Sequence, residues 1–297
     1  QINSIITLFS NGQIQEALDT VETLIKDYPN EPVLYNISGA CYADLGQLDT
    51  ALKSYKKALT IKPDYAEAHN NLGNTLKELG QLDAAVKSYE KALAIHPDFA
   101  EAYNNLGIAL KGLDQHDEAV KCFEKALVIK PEYADAHYNL SVTFQELGDV
   151  LKNLGQLDAA VKSYELALTV KPDHVEAFNN LCITLKELGQ LDTSVKSYKQ
   201  VLAINPNFAE AHNNLGNTLK ELGQLDAAVK SYEKAIAIKP DFADAHNNLG
   251  ITLRKLDQLD ASIKSYEKAI AIKPDHVEAH NNLGNALQDL GQLDAAV

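Results

Sequence analysis

The chain has 297 residues, with 41 Asp and Glu against 27 Lys and Arg, which gives a formal net charge of −14 at pH 7. This acidic balance disfavours nucleic acids and anionic membrane surfaces as partners, because both require a basic face. The three cysteines lie far apart in sequence, and no apolar run approaches the roughly 20 residues of a membrane span, so we expect a reduced, cytoplasmic protein. Since the sequence opens at Gln1 and ends at Val297 within a pattern, we also expect a fragment.

A proline recurs every 34 residues along the chain, with a single interval of 41. These prolines are Pro29, Pro63, Pro97, Pro131, Pro172, Pro206, Pro240 and Pro274. The period divides the chain into the segments 1–31, 32–65, 66–99, 100–133, 134–174, 175–208, 209–242, 243–276 and 277–297. A fixed period of this length is the signature of a stacked-repeat architecture.

The segment 66–99 shows what one repeat encodes. From Ala66 to Leu79, polar residues occupy one arc of a helical wheel and apolar residues the other, which predicts an amphipathic first helix. Gly80 predicts a left-handed stop, a second amphipathic helix follows, and Pro97 ends the unit. An Asp before five of the first helices, with an acidic residue three positions later, predicts a capping box with Asp as the cap. These pairs are Asp64–Glu67, Asp98–Glu101, Asp173–Glu176, Asp241–Asp244 and Asp275–Glu278.

Aromatic, small and aliphatic residues recur at fixed positions of each unit. In the segment 66–99 they are His69, Leu72, Gly73, Leu76, Ala85, Tyr89, Ala92 and Pro97. This pattern resembles that of the tetratricopeptide repeat (TPR) family, and the resemblance extends over the whole chain. It implies an all-α, right-handed solenoid of antiparallel helix pairs, in which the first helices line a concave groove.

The single 41-residue interval predicts a division of the array. We expect a sub-array of four repeats over 1–133, the first slightly truncated, then an elongated repeat over 134–174, and then three repeats and a partial one over 175–297. The elongated repeat contains Leu-Gly twice, seven residues apart, at Gly148 and Gly155. Seven residues make nearly two helical turns, so the apolar stripe continues. We predict one long helix from about Ala134 to Leu154, and a local change in the path of the stack.

The last segment, 277–297, supplies one complete helix and a stub. Leu283, Leu287 and Leu290 lie where a following helix would pack, and no polar capping helix follows. We therefore predict either that the natural chain continues or that this end associates with a second molecule, end to end.

Histidines and cysteines are interpreted as packing residues. Five histidines share one repeat position, which Tyr35, Tyr103 and Phe178 occupy elsewhere; they are His69, His137, His212, His246 and His280. Neighbouring repeats lie ~10 Å apart, too far for shared metal ligation at ~2 Å. Cys182 occupies a position that is Gly in other repeats. Because no nucleophile–base set and no phosphate-binding loop departs from the repeat pattern, we predict no enzyme activity, metal or cofactor.

Asparagine recurs at two adjacent positions of the first helices, although it costs about 0.5 kcal/mol relative to Ala inside a helix. The first asparagine position holds Asn70, Asn104, Asn179, Asn213, Asn247 and Asn281. The second holds Asn71, Asn105, Asn139, Asn180, Asn214, Asn248 and Asn282. One interpretation is that they tie neighbouring helices together, or persist from recent duplication. The other is that, with Asn74, Asn217 and Lys77, they form a peptide-binding groove, since an amide matches a peptide backbone in both donor and acceptor.

Charged residues flank the asparagines. Acidic residues lie near the starts of the first helices: Glu67, Glu101, Asp135, Glu176, Glu210, Asp244 and Glu278. Basic residues lie near their ends: Lys77, Lys111, Lys152, Lys186, Lys220 and Arg254. Complementarity to the helix dipole explains both sets, and orientation of a ligand is the alternative.

The run of asparagines is similar to the asparagine ladder in the superhelix of O-linked N-acetylglucosamine transferases, which implies that these residues hold extended polypeptide. Two functions remain open. The first is a non-catalytic scaffold that binds an extended protein segment in its groove. The alternative is the substrate-recruiting arm of a larger transferase whose catalytic domain is absent from this sequence.

Overall fold

The computed structural model describes residues 2–291, and every regular element within that range is a helix. The helices are α1 (Ile2–Ser10), α2 (Ile14–Asp27), α3 (Pro32–Asp44), α4 (Leu48–Ile61), α5 (Ala66–Glu78), α6 (Leu82–Ile95), α7 (Ala100–Lys111), α8 (His116–Ile129), α9 (Ala134–Asn153), α10 (Leu157–Val170), α11 (Val175–Glu187), α12 (Leu191–Ile204), α13 (Ala209–Glu221), α14 (Leu225–Ile238), α15 (Ala243–Lys255), α16 (Leu259–Ile272) and α17 (Val277–Asp289). The predicted all-α solenoid of helix pairs is confirmed. None of these helices is long and apolar enough to cross a bilayer.

The chain forms two compact units, 1–143 and 144–297, and the boundary between them lies inside α9. Within each unit, helices pack as hairpins, such as α5 with α6, and first helices also contact the first helix of a neighbouring repeat, as α3 does with α5 and α13 with α15. The predicted division at 134–174 stays a prediction, because a contact boundary does not test it.

In six hairpins a glycine of the first helix faces an aromatic ring of the second helix, and in the hairpin of α11 and α12 Cys182 takes the place of this glycine. A Cβ at Gly73 of α5 would stand 2.6 Å from the ring of Tyr89 on α6, and one at Gly216 would stand 2.6 Å from that of Tyr232. Both rings are fully buried. A larger residue at these two positions would meet the ring, so the glycines permit the close approach of the two helices.

The first helices end at a left-handed residue, as Gly80 predicted. Its φ is +72°, and Gly189 and Gly223 have φ +74°. Where the sequence lacks glycine at this position, Asp114 and Asp257 adopt φ 59° and 58°. Aspartate accepts this conformation at a cost that glycine does not have.

The predicted capping boxes are wrong. The N-cap is the residue directly before the helix, and at most first helices it is aromatic or histidine, as with Tyr65 before α5 and Phe99 before α7. Neither makes a side-chain cap hydrogen bond, and nor does Glu31, the N-cap of α3. The helices begin one residue later than the motif requires, so Asp64 and Asp98 precede the N-cap instead of occupying it. At α17 the cap is His276, whose Nδ1 accepts from the backbone N–H of Ala279 at 3.4 Å.

The predicted long helix is present as α9, which spans 20 residues and includes Gly148. Gly148 is the packing glycine of this repeat, because a Cβ there would stand 2.5 Å from the ring of Tyr164. Gly155, with φ +74°, ends the turn after the helix.

The predicted stub after α17 lies largely outside the described residues, since the structure describes nothing beyond Gly291. Within the described part, Leu287 is buried, while Leu283 and Leu290 are half-buried. End-to-end association through this segment stays a prediction.

Candidate functional site

Six of the seven second-position asparagines are bonded to the first asparagine position of the repeat before them, and the seventh, Asn180, is bonded to Asp149. Each of the six bonds runs from Nδ2 to the Oδ1 atom 35 residues earlier, one repeat plus one residue. In unit 1 the bonds are Asn71 to Asn36 at 3.1 Å, Asn105 to Asn70 at 3.1 Å and Asn139 to Asn104 at 2.9 Å. In unit 2 they are Asn214 to Asn179 at 3.3 Å, Asn248 to Asn213 at 3.1 Å and Asn282 to Asn247 at 3.0 Å. The asparagines therefore tie neighbouring first helices together.

Burial separates the two asparagine positions. At the first position, Asn70, Asn104, Asn213 and Asn247 are exposed by only 7, 4, 6 and 2%. Asn179 is half-buried and Asn281 is exposed. The second-position asparagines are half-buried, and their bridging bonds use the amide NH₂ and leave the amide oxygen out. At Asn214 the oxygen accepts a further bond, from the neighbouring Asn213 amide at 3.4 Å. A ligand on this face meets the second position, while most of the first position lies beneath it.

One turn further along each first helix, the residue changes from repeat to repeat. Asn74 and Asn217 each accept a hydrogen bond from a buried tyrosine hydroxyl, Tyr89 and Tyr232 respectively, at 2.8 Å. Ile108, Ile183 and Ile251 take the same position elsewhere and are half-buried. In unit 2 the face therefore alternates between isoleucine and asparagine, over residues Ile183, Asn217, Ile251 and Asn285.

Asp149 was missed by the sequence analysis. Its carboxylate accepts hydrogen bonds from the Asn180 amide at 2.9 Å, from the Tyr164 hydroxyl at 2.6 Å and from the Gln145 amide. The pKa of Tyr164 is raised above its ordinary value, mainly by burial and next by the hydrogen bond to Asp149. The signal was available, because Asp149 precedes Tyr164 by 15 residues, as Asn74 precedes its tyrosine.

The basic residues at the ends of the first helices pair with carboxylates of the next repeat. Their nitrogen–oxygen distances are 3.1 Å for Lys152–Glu187, 2.8 Å for Lys186–Glu221 and 2.6 Å for Arg254–Asp289. Near the helix starts, Glu101 pairs with Lys130 at 3.5 Å and Glu210 with Lys239 at 3.4 Å. Ion pairs between elements thus add a role that the helix-dipole interpretation did not include. The partner position of Lys77 holds Gly112, so this predicted groove residue faces no carboxylate there.

The repeated histidine has a specific contact beyond packing. In all five repeats its Nε2 lies within hydrogen-bond distance of the carbonyl of the proline six residues earlier, for example 3.0 Å from His69 to Pro63 and from His212 to Pro206. The Tyr35 hydroxyl donates to Pro29 in the same way. Surface cavities of about 600 and 610 Å³ lie beside His69 and His212, between second helices and away from the asparagines.

The cysteines are unreactive in this setting. Cys41 and Cys182 are fully buried, and Cys182 packs beside Tyr198 in the hydrophobic core. Burial raises the pKa of the Cys41 and Cys122 thiols to about 11, which keeps both protonated near neutral pH. Within residues 2–291, no group of His, Cys, Asp and Glu is arranged to hold a metal ion.

Family profiles match most of the chain. A profile described as "TPR repeat" matches residues 39–80, 73–114, 184–223, 216–257 and 252–291, and one described as "Tetratricopeptide repeat" matches 98–173. Together they span more than half of the sequence. The chain belongs to the tetratricopeptide repeat family. No curated protein sequence matches the chain.

Several solved structures are similar to this TPR chain. MamA is 29% identical over 52% of this chain and 85% of its own, with a TM-score of 0.49. The APC/C hetero-tetramer Cut9–Hcn1 is 17% identical over 96% of this chain and 54% of its own, with a TM-score of 0.46. YrrB, described as a TPR protein with an unusual peptide-binding site, is 24% identical over 77% of this chain and 96% of its own, with a TM-score of 0.34. The TM-scores are low, so the family assignment rests on the profiles.

Proposed function

We propose that this TPR protein is a non-catalytic scaffold that binds an extended polypeptide along the first helices of each unit. The observation that supports the proposal is the row of half-buried second-position asparagines, each held in place by a bridging hydrogen bond. A side chain that is already fixed loses little conformational entropy when a ligand binds to it.

The chemistry of this row suits a peptide backbone. The bridging bond consumes the amide NH₂ of a residue such as Asn248, which leaves its oxygen as the acceptor for a ligand N–H. Neighbouring first helices lie ~10 Å apart, and an extended chain advances ~3.3 Å per residue, so one asparagine meets about every third ligand residue. Contacts to backbone make such binding tolerant of sequence.

The expected affinity is modest. A neutral hydrogen bond contributes ~0.5–1.5 kcal/mol net, and the ordering of a flexible peptide offsets much of the sum. We expect dissociation constants in the range of about 1 μM for a segment that spans one unit, which corresponds to about −8 kcal/mol.

A matched pair of substitutions tests the proposal. Asn248→Ala and Asn213→Ala each remove the same 3.1 Å hydrogen bond, one by deleting its donor and the other by deleting its acceptor. Only Asn248 is half-buried and open to a ligand, whereas Asn213 is buried. Both variants should lose thermal stability, and only Asn248→Ala should lose a ligand contact as well.

The binding measurement uses an array of unstructured peptides of about 15 residues, long enough to span four repeats. The strongest peptides are then titrated by fluorescence anisotropy against the wild type and both variants. We expect Asn248→Ala to weaken binding about fivefold and Asn213→Ala less than twofold. Equal losses in the two variants, or no peptide binding by the wild type, would overturn the proposal and leave the asparagines with a purely structural role.

A further inference from the structure

The row of ion pairs in unit 2 is interrupted at one repeat. The pairs Lys152–Glu187, Lys186–Glu221 and Arg254–Asp289 each join the basic residue of one first helix to the residue 35 positions later. The same 35-residue offset pairs Lys220 of α13 with position 255 of α15, where the residue is Lys255 and not an Asp or Glu. No Asp or Glu in the described part of the chain lies within ion-pair distance of either lysine.

Lys220 shows the electrostatic consequence. It is half-buried, and burial lowers its pKa, followed by repulsion from Lys255 and from Lys186. Glu221 and Glu278 act in the opposite direction on the pKa without offsetting these effects. At the neighbouring repeats of this row each cation has its own carboxylate, whereas here two lysines stand at paired positions without one.

The surroundings favour a ligand side chain of a specific kind. Lys255 and Ile251 of α15 line a surface cavity of about 270 Å³ together with Asn282 of α17. Arg254 and Asp289 also line it, and they neutralise each other at 2.6 Å. An anionic group beside a small apolar group matches this combination of an uncompensated ammonium and an aliphatic wall.

We propose that Lys220 and Lys255 together bind the carboxylate of an Asp or Glu side chain in the extended polypeptide, with a neighbouring apolar residue against Ile251. This inference rests on the proposed function, because it specifies the segment that unit 2 binds on the same face. A carboxylate is the anionic group that the side chains of an unmodified polypeptide carry.

The test compares three unstructured peptides that are identical except at one central position, which is Glu, Gln or Lys and is followed by Leu. Each is titrated by fluorescence anisotropy against the full chain. The wild type should bind the Glu peptide about tenfold more tightly than the Gln peptide, and the Lys peptide most weakly.

Two charge reversals provide the matched variants. Lys255→Glu supplies Lys220 with the carboxylate that other repeats have, so it should raise the melting temperature and abolish the preference for Glu. Lys264→Glu makes the same change of net charge at an exposed site on α16 and should leave the preference unaltered.

The outcomes are distinguishable. If the wild type binds the Glu and Gln peptides equally, or if Lys264→Glu abolishes the preference as Lys255→Glu does, the lysine site is overturned while polypeptide binding stands. If none of the three peptides binds, both the site and the proposed function fail.

Discussion

The regular repeat that contains α13 and the elongated repeat that contains α9 are held to their neighbours by different acceptors. In α13 the acceptors are two different residues. Asn213 accepts from Asn248 of the next repeat at 3.1 Å, and Asn217 accepts from the Tyr232 hydroxyl at 2.8 Å. Each asparagine oxygen thus serves one partner element.

In α9 a single residue, Asp149, accepts from both of the corresponding donors, Asn180 at 2.9 Å and Tyr164 at 2.6 Å. A carboxylate has two oxygens and about four lone-pair sites, whereas an amide has one oxygen, so only an acidic residue accommodates these donors together with Gln145. The comparison shows that extra residues in a repeat change the side-chain bonding at its end while the glycine–tyrosine packing stays the same.

The largest expected effect follows from removing this acceptor. Asp149→Ala leaves the Tyr164 hydroxyl and the Asn180 amide without their partner, so we expect a loss of about 3 kcal/mol or more in the free energy of unfolding. Asn217→Ala, which deprives only the Tyr232 hydroxyl, should cost about 1–2 kcal/mol. Urea denaturation followed by circular dichroism measures both, and equal losses would contradict the shared-acceptor role of Asp149.

Alkaline pH tests the buried tyrosines as a set. Burial is the main cause that raises the pKa of Tyr89, Tyr164 and Tyr232 above the ordinary value of 10.0. Since the folded state then holds these protons more tightly than the unfolded state, their contribution is complete below pH 10 and is lost as the pH rises above it. We expect tyrosinate absorbance and loss of helicity to appear together. Ionisation of these tyrosines with helicity intact would show that the rings are accessible.

A smaller difference is expected between two tyrosine-to-phenylalanine substitutions. Tyr232→Phe removes the 2.8 Å bond to Asn217 and should cost about 1 kcal/mol. Among the described residues the buried Tyr198 hydroxyl has no hydrogen-bond partner, because Ile183 stands where the repeat of Tyr232 has Asn217. Tyr198→Phe should therefore be neutral or stabilising in thermal melts, and a loss equal to that of Tyr232→Phe would refute this reading. The repeat with Ile108 at this position already has a phenylalanine, Phe123, in place of the tyrosine.

The smallest effect concerns the turns. Asp257→Gly relieves a left-handed backbone with φ 58°, so it should raise stability by about 0.5–1 kcal/mol. Thermal denaturation checks it, with Gly223→Asp as the reverse change at a position whose φ is +74°. A fall in melting temperature for Asp257→Gly would indicate that the Asp side chain makes a compensating contact.

Much of the fold could be predicted from the residues themselves. Gly80 predicted its own left-handed turn, and the seven-residue spacing of the Leu-Gly pairs predicted the uninterrupted helix α9. The capping boxes were wrong because the N-cap is displaced by one residue, so that Tyr65 rather than Asp64 stands at the helix start. A one-residue shift of this kind changes neither the helical period nor the repeat length, so the pattern does not reveal it.

The candidate site could be predicted only in part. The asparagine positions were evident, and the bridging bonds agree with the interpretation that they tie neighbouring helices together, while the peptide-binding interpretation stays a prediction. That Asn70 is buried and bonded to Asn105, while Asn105 stays half-buried, depends on how far one helix is offset from the next. The two adjacent asparagines look equivalent in the sequence. The repeat pattern does not show which of them is buried and which lies at the surface.

The sequence by itself determined the repeat, the helix pairs, the turns and the all-α solenoid, because these depend on residues a few positions apart along one chain. The tertiary structure alone decided which asparagine amides are hydrogen-bonded to each other and that Asp149 takes the acceptor role of two asparagines. It also decided that Lys220 is paired with Lys255, where neighbouring cations are paired with carboxylates. These contacts join residues 31 or 35 positions apart, and the glycine–tyrosine packing sets the offset that brings them together.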